Sequence, residues 1–232
     1  SDDTPSPAAS VALSEEGNLI GETIINTSLT HSQTLIPMVE QLLNNTKTEI
    51  SDIDAIAVNA GPGSFTEVRI GVAAVKGLAL ANNIQCVSIS TLESMAYNFL
   101  STDCIVCAVM DARCSQVYNA LFEIKNGVVT RLCDDRALSL NDLKNELLSV
   151  DGRIIIAGDG TDITCKYIGI EIKNAESAPV NRKYQRAAST ALVAFKMINN
   201  GQTVSAQELM PVYLRLPQAQ RELNKKLGGR TK

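Results

Sequence analysis

The sequence predicts an α/β fold with a mixed sheet, and three observations carry that reading. Short apolar runs of strand character alternate with longer stretches of helical period. One stretch, Gly61-Pro62-Gly63-Ser64-Phe65-Thr66-Glu67-Val68-Arg69-Ile70-Gly71, joins such a run to a long helix through a glycine turn. The order β-hairpin, helix, strand ending in a glycine turn then recurs further along, which hints at an internal duplication.

Ser1 to Pro7 is polar and broken by proline. Ala8 to Leu13 reads as a strand, Glu15-Glu16-Gly17-Asn18 as a hairpin turn and Leu19 to Asn26 as the returning strand. His31 to Asn45 has helical period, with Leu35, Met38, Val39, Leu42 and Leu43 on one stripe that Ile36 widens. Pro37 requires that helix to begin near Gln33 or Thr34, or to kink. Ala55 to Val58 is a buried strand. Gly61 and Gly63 then permit backbone angles that a Cβ resists, and Pro62 stiffens the turn between them. Ser64 with Glu67 three residues on predicts a capping box, so the helix starts at Phe65 and runs to about Ala81, where Asn82-Asn83 stop it. On it Ala73, Gly77 and Ala81 form a row of small residues beside Ile70, Ala74 and Leu78, so the helix is expected to be covered on more than one side. Ile84 to Ile89 is the next strand and Thr91 to Leu100 the next helix. The strands linked by helices should be parallel.

A second module begins near Ser101. Ile105 to Met110 is a strand ending at Asp111-Ala112-Arg113, and Val117 to Ile124 turns at Lys125-Asn126-Gly127 into Val128 to Arg131. Leu140 to Val150 is a helix, Arg153 to Ala157 a buried strand, and Gly158-Asp159-Gly160 the turn at its end. Ala187 to Asn200 is a helix with Ala188, Leu192, Phe195 and Ile198 spaced for burial, expected to return towards the first module. The division is therefore 1–100, 101–215 and a basic tail, 216–232, expected to be disordered. An RNA or partner contact is the other reading of that tail.

Function classes narrow by what the residues lack. The 232 residues carry a formal net charge of −4, so there is no overall basic footprint for nucleic acid. No apolar run is long enough to cross a membrane and no leader pattern opens the sequence, so a soluble protein is expected. The six cysteines are scattered, which favours reduced thiols. Cys104 and Cys107 have C-x-x-C spacing, but on a strand they point to opposite faces, and His31 is the single histidine, so a zinc site is not expected. The glycine turn lacks the Gly-Lys-Ser/Thr ending of a phosphate loop and the third glycine of a dinucleotide fingerprint, and Glu67 sits where an anion would bind. Asp3, Asp111 and Asp159 each follow or end a strand, and are read as structural turn acids. No cofactor, metal or catalytic set emerges.

At these residues the chain resembles the bacterial TsaB family, also called YeaZ. The resemblance rests on Asp3-Thr4 with Ala9 to Leu13, His31-Ser32 with Leu35 to Met38, and Gly61 to Gly71. Ser90-Thr91-Leu92, Met110 to Arg113 with Val117-Tyr118, and Pro211 to Arg215 continue it. It implies an actin-like, Hsp70-like fold of two ribonuclease-H-like halves and a cytoplasmic, noncatalytic role. The family resembles a degenerate form of TsaD, which transfers a threonylcarbamoyl group to the adenosine beside the anticodon of tRNAs reading codons that start with A. The resemblance implies binding to TsaD through the helices His31 to Asn45 and Phe65 to Ala81, with TsaE joining as ATPase, tRNA reached only through the complex, and a homodimer when alone. Leu35, Met38, Val39, Leu42, Val68, Val72 and Val75 become the candidate interface residues. Two departures stand out. Glu67 replaces the family's usual glycine, and the family's first strand, which would precede Asp3, has no counterpart in the sequence, which would leave sheet edges exposed. A peptidase and a small-molecule kinase or ATPase of the same fold are the alternatives.

Overall fold

The computed structural model describes residues 8–26 and 31–215. The expectations for Asp3, for the first seven residues and for the basic tail lie outside these residues, as does any role for the His31 side chain.

The chain opens with an antiparallel hairpin, β1 (Ala8–Glu15) and β2 (Asn18–Asn26), turning through Glu16 and Gly17 at φ 48° and 80°. Helix α1 (His31–Thr46) follows, with Pro37 inside it rather than in its first turn. β3 (Ala55–Gly61), α2 (Phe65–Asn82) and β4 (Gln85–Ser90) form a crossover unit whose strands pair in parallel. Asn83, in the left-handed region at φ 54°, ends α2. Helix α3 (Thr91–Ala96) is shorter than expected because Tyr97–Phe99 tightens into a 3-10 turn.

The second half builds a six-stranded sheet from β5 (Cys104–Asp111), β6 (Gln116–Lys125), β7 (Val128–Arg131), β8 (Arg136–Ser139), β9 (Ile154–Ala157) and β10 (Ala175–Ser177). The order is β10-β9-β5-β6-β7, with β8 also pairing to β6. β5 runs antiparallel to β6 and parallel to β9, so this sheet is mixed. Helices α4 (Leu140–Leu147) and α5 (Thr161–Ile168) cover one face, while α3 covers the other. Period-two alternation sorts β5 between two cores: Val106 and Ala108 meet Met95 and Phe99, whereas Cys107 and Val109 meet Leu143 and Leu147. Cys104 and Cys107 therefore fall in different cores, and burial pushes the Cys104 thiol up to about 11. With both faces covered, β5 and β9 read as continuous apolar runs.

Helix α6 (Ala187–Asn199) returns to the first half and packs on β1, β3 and β4. Glu22 of β2 accepts the Ala188 N–H at 3.0 Å and pairs with Arg186, so a carboxylate sits at the positive end of the helix. The buried stripe is Ser189, Thr190, Val193 and Ala194, not the expected Leu192, Phe195 and Ile198, which are 37–38% exposed. No described helix is long and apolar enough to cross a membrane.

Candidate functional site

The glycine turn after β3 is closed by the chain's own C-terminal segment. Val212 N–H donates to Ala60 O at 2.7 Å, and a Cβ on Gly61, whose φ is +127°, would lie 2.3 Å from Val212 O. Glycine is required at 61 by that backbone approach, and not by a phosphate. Tyr213 stacks on Phe65 with ring centroids 4.3 Å apart, and its hydroxyl accepts from Arg69 Nε at 3.0 Å. The Lys76 ammonium donates to the carbonyls of Gln207 and Leu209, which fixes the rest of the segment along α2.

The expected capping box is not formed. Ser64 occupies the N-cap position, but its hydroxyl makes no capping bond; its carbonyl accepts from Val68 N–H instead. Ser64 and Glu67 both line a cleft between β1 and β3, together with Pro62 and Gly63.

The seven candidate interface residues divide by burial. Val68, Val72 and Val75 are 3–8% exposed and pack with Ala60, Ile84 and Leu209 in the chain's own core. Met38 and Leu42 are 2% and 7% exposed on the row of α1 that packs on the hairpin, where Leu42 Cδ1 lies 2.9 Å from a Cβ position at Gly21. Leu35 and Val39 are half-buried and line the β1/β3 cleft. The helical stripe that brings these apolar residues together faces inward, so it supplies core before it supplies interface. What α2 leaves outward is a different stripe: Thr66, Arg69, Ala73, Gly77, Leu80 and Ala81 are exposed, and nothing lies within 4 Å of a Cβ position at Gly77. The Ala73, Gly77, Ala81 row, expected to lie against its own core or a partner, is not covered by the described residues, so the reading of α2 as a helix buried within the fold on that side is corrected. Its small size was visible in the sequence, but its outward direction was not.

The two turn acids of the second half meet at the carboxyl ends of the parallel strands β5 and β9, where open α/β sheets present ligand crevices. Asp159 Oδ1 accepts the Asp111 N–H at 3.0 Å, and Asp111 Oδ1 accepts the Arg113 N–H at 2.7 Å. Burial raises the Asp159 carboxyl to about 6, the Asp111 charge adding to the rise while backbone donors at Asp111 and Gly160 oppose it. Both carboxylates thus hold turns: Gly158, at φ +117°, lets the chain pass against Val109 O, which would stand 1.9 Å from a Cβ there. Among the described residues no group of three or more His, Cys, Asp or Glu is placed to hold a metal ion.

A strand, glycine turn and helix beside a mixed sheet define an α/β protein with parallel and antiparallel strand pairs. Residues 22–222 match the family described as TsaD, tRNA N6-adenosine threonylcarbamoyltransferase. The chain is 31% identical to a Bacillus subtilis protein named tRNA threonylcarbamoyladenosine biosynthesis protein TsaB, with 94% of each chain covered. It is 30% identical to the Escherichia coli protein of the same name, again with 92% of each covered. Among solved structures it superposes with a TM-score of 0.74 on a Pseudomonas aeruginosa protein described as uncharacterized with similarity to peptidase YeaZ, at 27% identity over 91% of this chain and 96% of that one. The chain belongs to the TsaB (YeaZ) family.

Proposed function

We propose that this chain is a noncatalytic subunit of tRNA threonylcarbamoyladenosine biosynthesis that binds TsaD, with TsaE joining the assembly, and reaches tRNA only through that complex. The fold expected for such a subunit is actin-like, with two ribonuclease-H-like halves. The observation that carries the reading is the outward stripe of α2. Ala73, Gly77 and Ala81 let another helix approach closely, and Leu80, 51% exposed, offers apolar area beside them. The face is not strongly charged, Arg69 being engaged by Tyr213 and Phe65. The family supports the choice of partner, since a scaffold built like TsaD is suited to packing against TsaD. The same face would pair two copies of the chain when TsaD is absent, as self-complementary apolar patches do.

The test is reconstitution with TsaD and TsaE from the same organism, supplied with tRNA, ATP and an activated threonylcarbamoyl donor. Threonylcarbamoylated tRNA should accumulate only when the chain is present, and the Gly77→Glu variant should fail to support it. Full modification without the chain, or with Gly77→Glu, would overturn the proposal.

A further inference from the structure

The arginines differ in what holds them. Arg131, Arg136, Arg153 and Arg186 each pair with a carboxylate of the chain. Arg69 and Arg215 form no ion pair with a described residue, and each gives a donor to a neutral acceptor instead. Arg69 Nε donates to the Tyr213 hydroxyl at 3.0 Å, with its guanidinium 4.3 Å from the Phe65 ring centroid. Arg215 Nη1 donates to Ala112 O at 2.8 Å. A guanidinium has five N–H donors, so these contacts fix the two side chains without neutralising their charge.

The C-terminal segment brings the two together. Tyr213, which holds Arg69, and Arg215 are separated by at most about 7 Å between their Cα atoms. Ala112, which holds Arg215, leads directly into Arg113, exposed in the turn between β5 and β6. Basic residues from α2, from that turn and from the C-terminal segment thus gather around residues 213–215. The acids nearby are turned to other work: Asp111 and Asp159 are half-buried and accept backbone N–H groups, and Glu67 is half-buried in the lining of the β1/β3 cleft. Arg182 lies elsewhere, in the loop that Asn98 holds.

Two further observations fall at the same place. One face of the Tyr213 ring is stacked on Phe65, yet the residue is still 39% exposed. The sequence then continues beyond Arg215 with Arg221, Lys225, Lys226, Arg230 and Lys232 against Glu222 alone, in a chain whose formal net charge is −4. Positive charge is therefore concentrated at one point of an acidic protein. Guanidiniums without carboxylates beside an exposed aromatic ring fit a nucleic-acid backbone better than an acidic peptide, whose side chains would leave the ring uncovered.

We infer that Arg69, Arg113 and Arg215 contact the phosphate backbone of tRNA, with the basic residues beyond Arg215 extending the contact. The inference deepens the reading of the chain as a subunit of a tRNA-modifying assembly: tRNA is engaged from the complex, and this chain holds part of it directly. Arg69 precedes Gly77 by about two helical turns, roughly 12 Å along α2, so the patch and the outward stripe can be occupied together.

The probe is an unmodified tRNA transcript labelled for fluorescence anisotropy, titrated with the chain alone and with the chain premixed with TsaD, between about 50 and 200 mM salt. The solution mass of each mixture is read beside it. Binding should be weak for the chain alone and tighter for the mixture. Arg69→Gln combined with Arg215→Gln should weaken both about tenfold and lower the slope of log affinity against log salt by about two, while the mixture keeps the mass of a complex. Arg69→Lys combined with Arg215→Lys keeps both charges and should keep the slope. A lysine pair that loses as much as the glutamine pair would mean that the arginines only brace the segment, and would overturn the proposal. An affinity and slope that the glutamine pair leaves unchanged would overturn it too, as would a glutamine pair that loses TsaD and not tRNA, which would assign the patch to an acidic protein surface. A mixture that forms no complex would count against the TsaD reading alone; the isolated chain then decides, and a chain that binds no tRNA at about 50 mM salt would overturn this inference as well.

Discussion

Gly61→Ala perturbs one point where two parts of the chain meet, and its consequence can be worked from the geometry. The new Cβ would stand 2.3 Å from Val212 O at a backbone φ of +127°, so either β3 or the C-terminal segment must shift. The conformation itself costs about 1–3 kcal/mol for a residue with a side chain. Displacing the segment removes the Val212 to Ala60 hydrogen bond, at about 0.5–1.5 kcal/mol. It also removes the Phe65–Tyr213 stack, at about 0.5–1.5 kcal/mol. The expected loss is about 2–6 kcal/mol, read by urea unfolding. Because Gly61→Ala already undocks Tyr213, adding Tyr213→Ala should cost much less than Tyr213→Ala does alone. Additive losses in that double-mutant cycle, or retained exchange protection at Val212, would refute the reasoning.

Three further outcomes follow from the same structure. Asp159 holds its proton in the folded state between its ordinary value of 3.8 and about 6, a range in which the unfolded chain has released it. Stability therefore falls as pH rises through that window, by up to about 3 kcal/mol at roughly 1.4 kcal/mol per unit, and Asp159→Asn should flatten the fall while keeping an acceptor for Asp111 N–H; an unchanged pH profile would contradict this. Arg131 joins Glu93 at 2.9 Å and Asp135 at 2.6 Å beneath the start of α3, so Arg131→Met should destabilise by about 1–3 kcal/mol in urea, and a loss that salt fails to diminish would point to packing over Phe122 instead. Val72→Glu places a carboxylate in the core and should prevent folding as read by circular dichroism, whereas Gly77→Glu, in open space on a helix, should leave Tm unchanged or raised by the propensity gain of about 0.5–1 kcal/mol.

The central elements were legible because their patterns are local. An apolar run bounded by Asp52 and Asp54, two glycines and a helical period place the start of β3 and both ends of α2 within a residue of where they lie, while β3 runs on past Val58 to Gly61. Opposite faces for Cys104 and Cys107 follow from strand geometry alone. The missed elements depend on partners distant in sequence. β8 exists by pairing Arg136 to Ser139 against Gln116 to Asn119, and β10 by pairing Ala175 to Ser177 against β9. α5 follows a glycine N-cap, Gly160, that has no side chain to cap with, and Thr161 Oγ1 bonds Gly158 O, so its start carries no familiar signal. Helical period likewise shows that Val68, Val72 and Val75 share a stripe, but only the sheet, the C-terminal segment and α1 decide that the stripe faces in and Ala73, Gly77 and Leu80 face out. The capping box shows the same limit of local pattern: Ser64 and Glu67 have the right spacing, yet the Ser64 hydroxyl makes no capping bond.

The most direct measurement is solution mass by light scattering for the chain alone, for the chain mixed with TsaD of the same organism, and for Gly77→Glu in both settings. The account predicts a self-associated chain that gives way to a complex with one copy of each subunit, with both associations lost in Gly77→Glu although that variant melts no earlier. A chain that ignores TsaD, or a Gly77→Glu variant that binds it as well as the parent does, would contradict it.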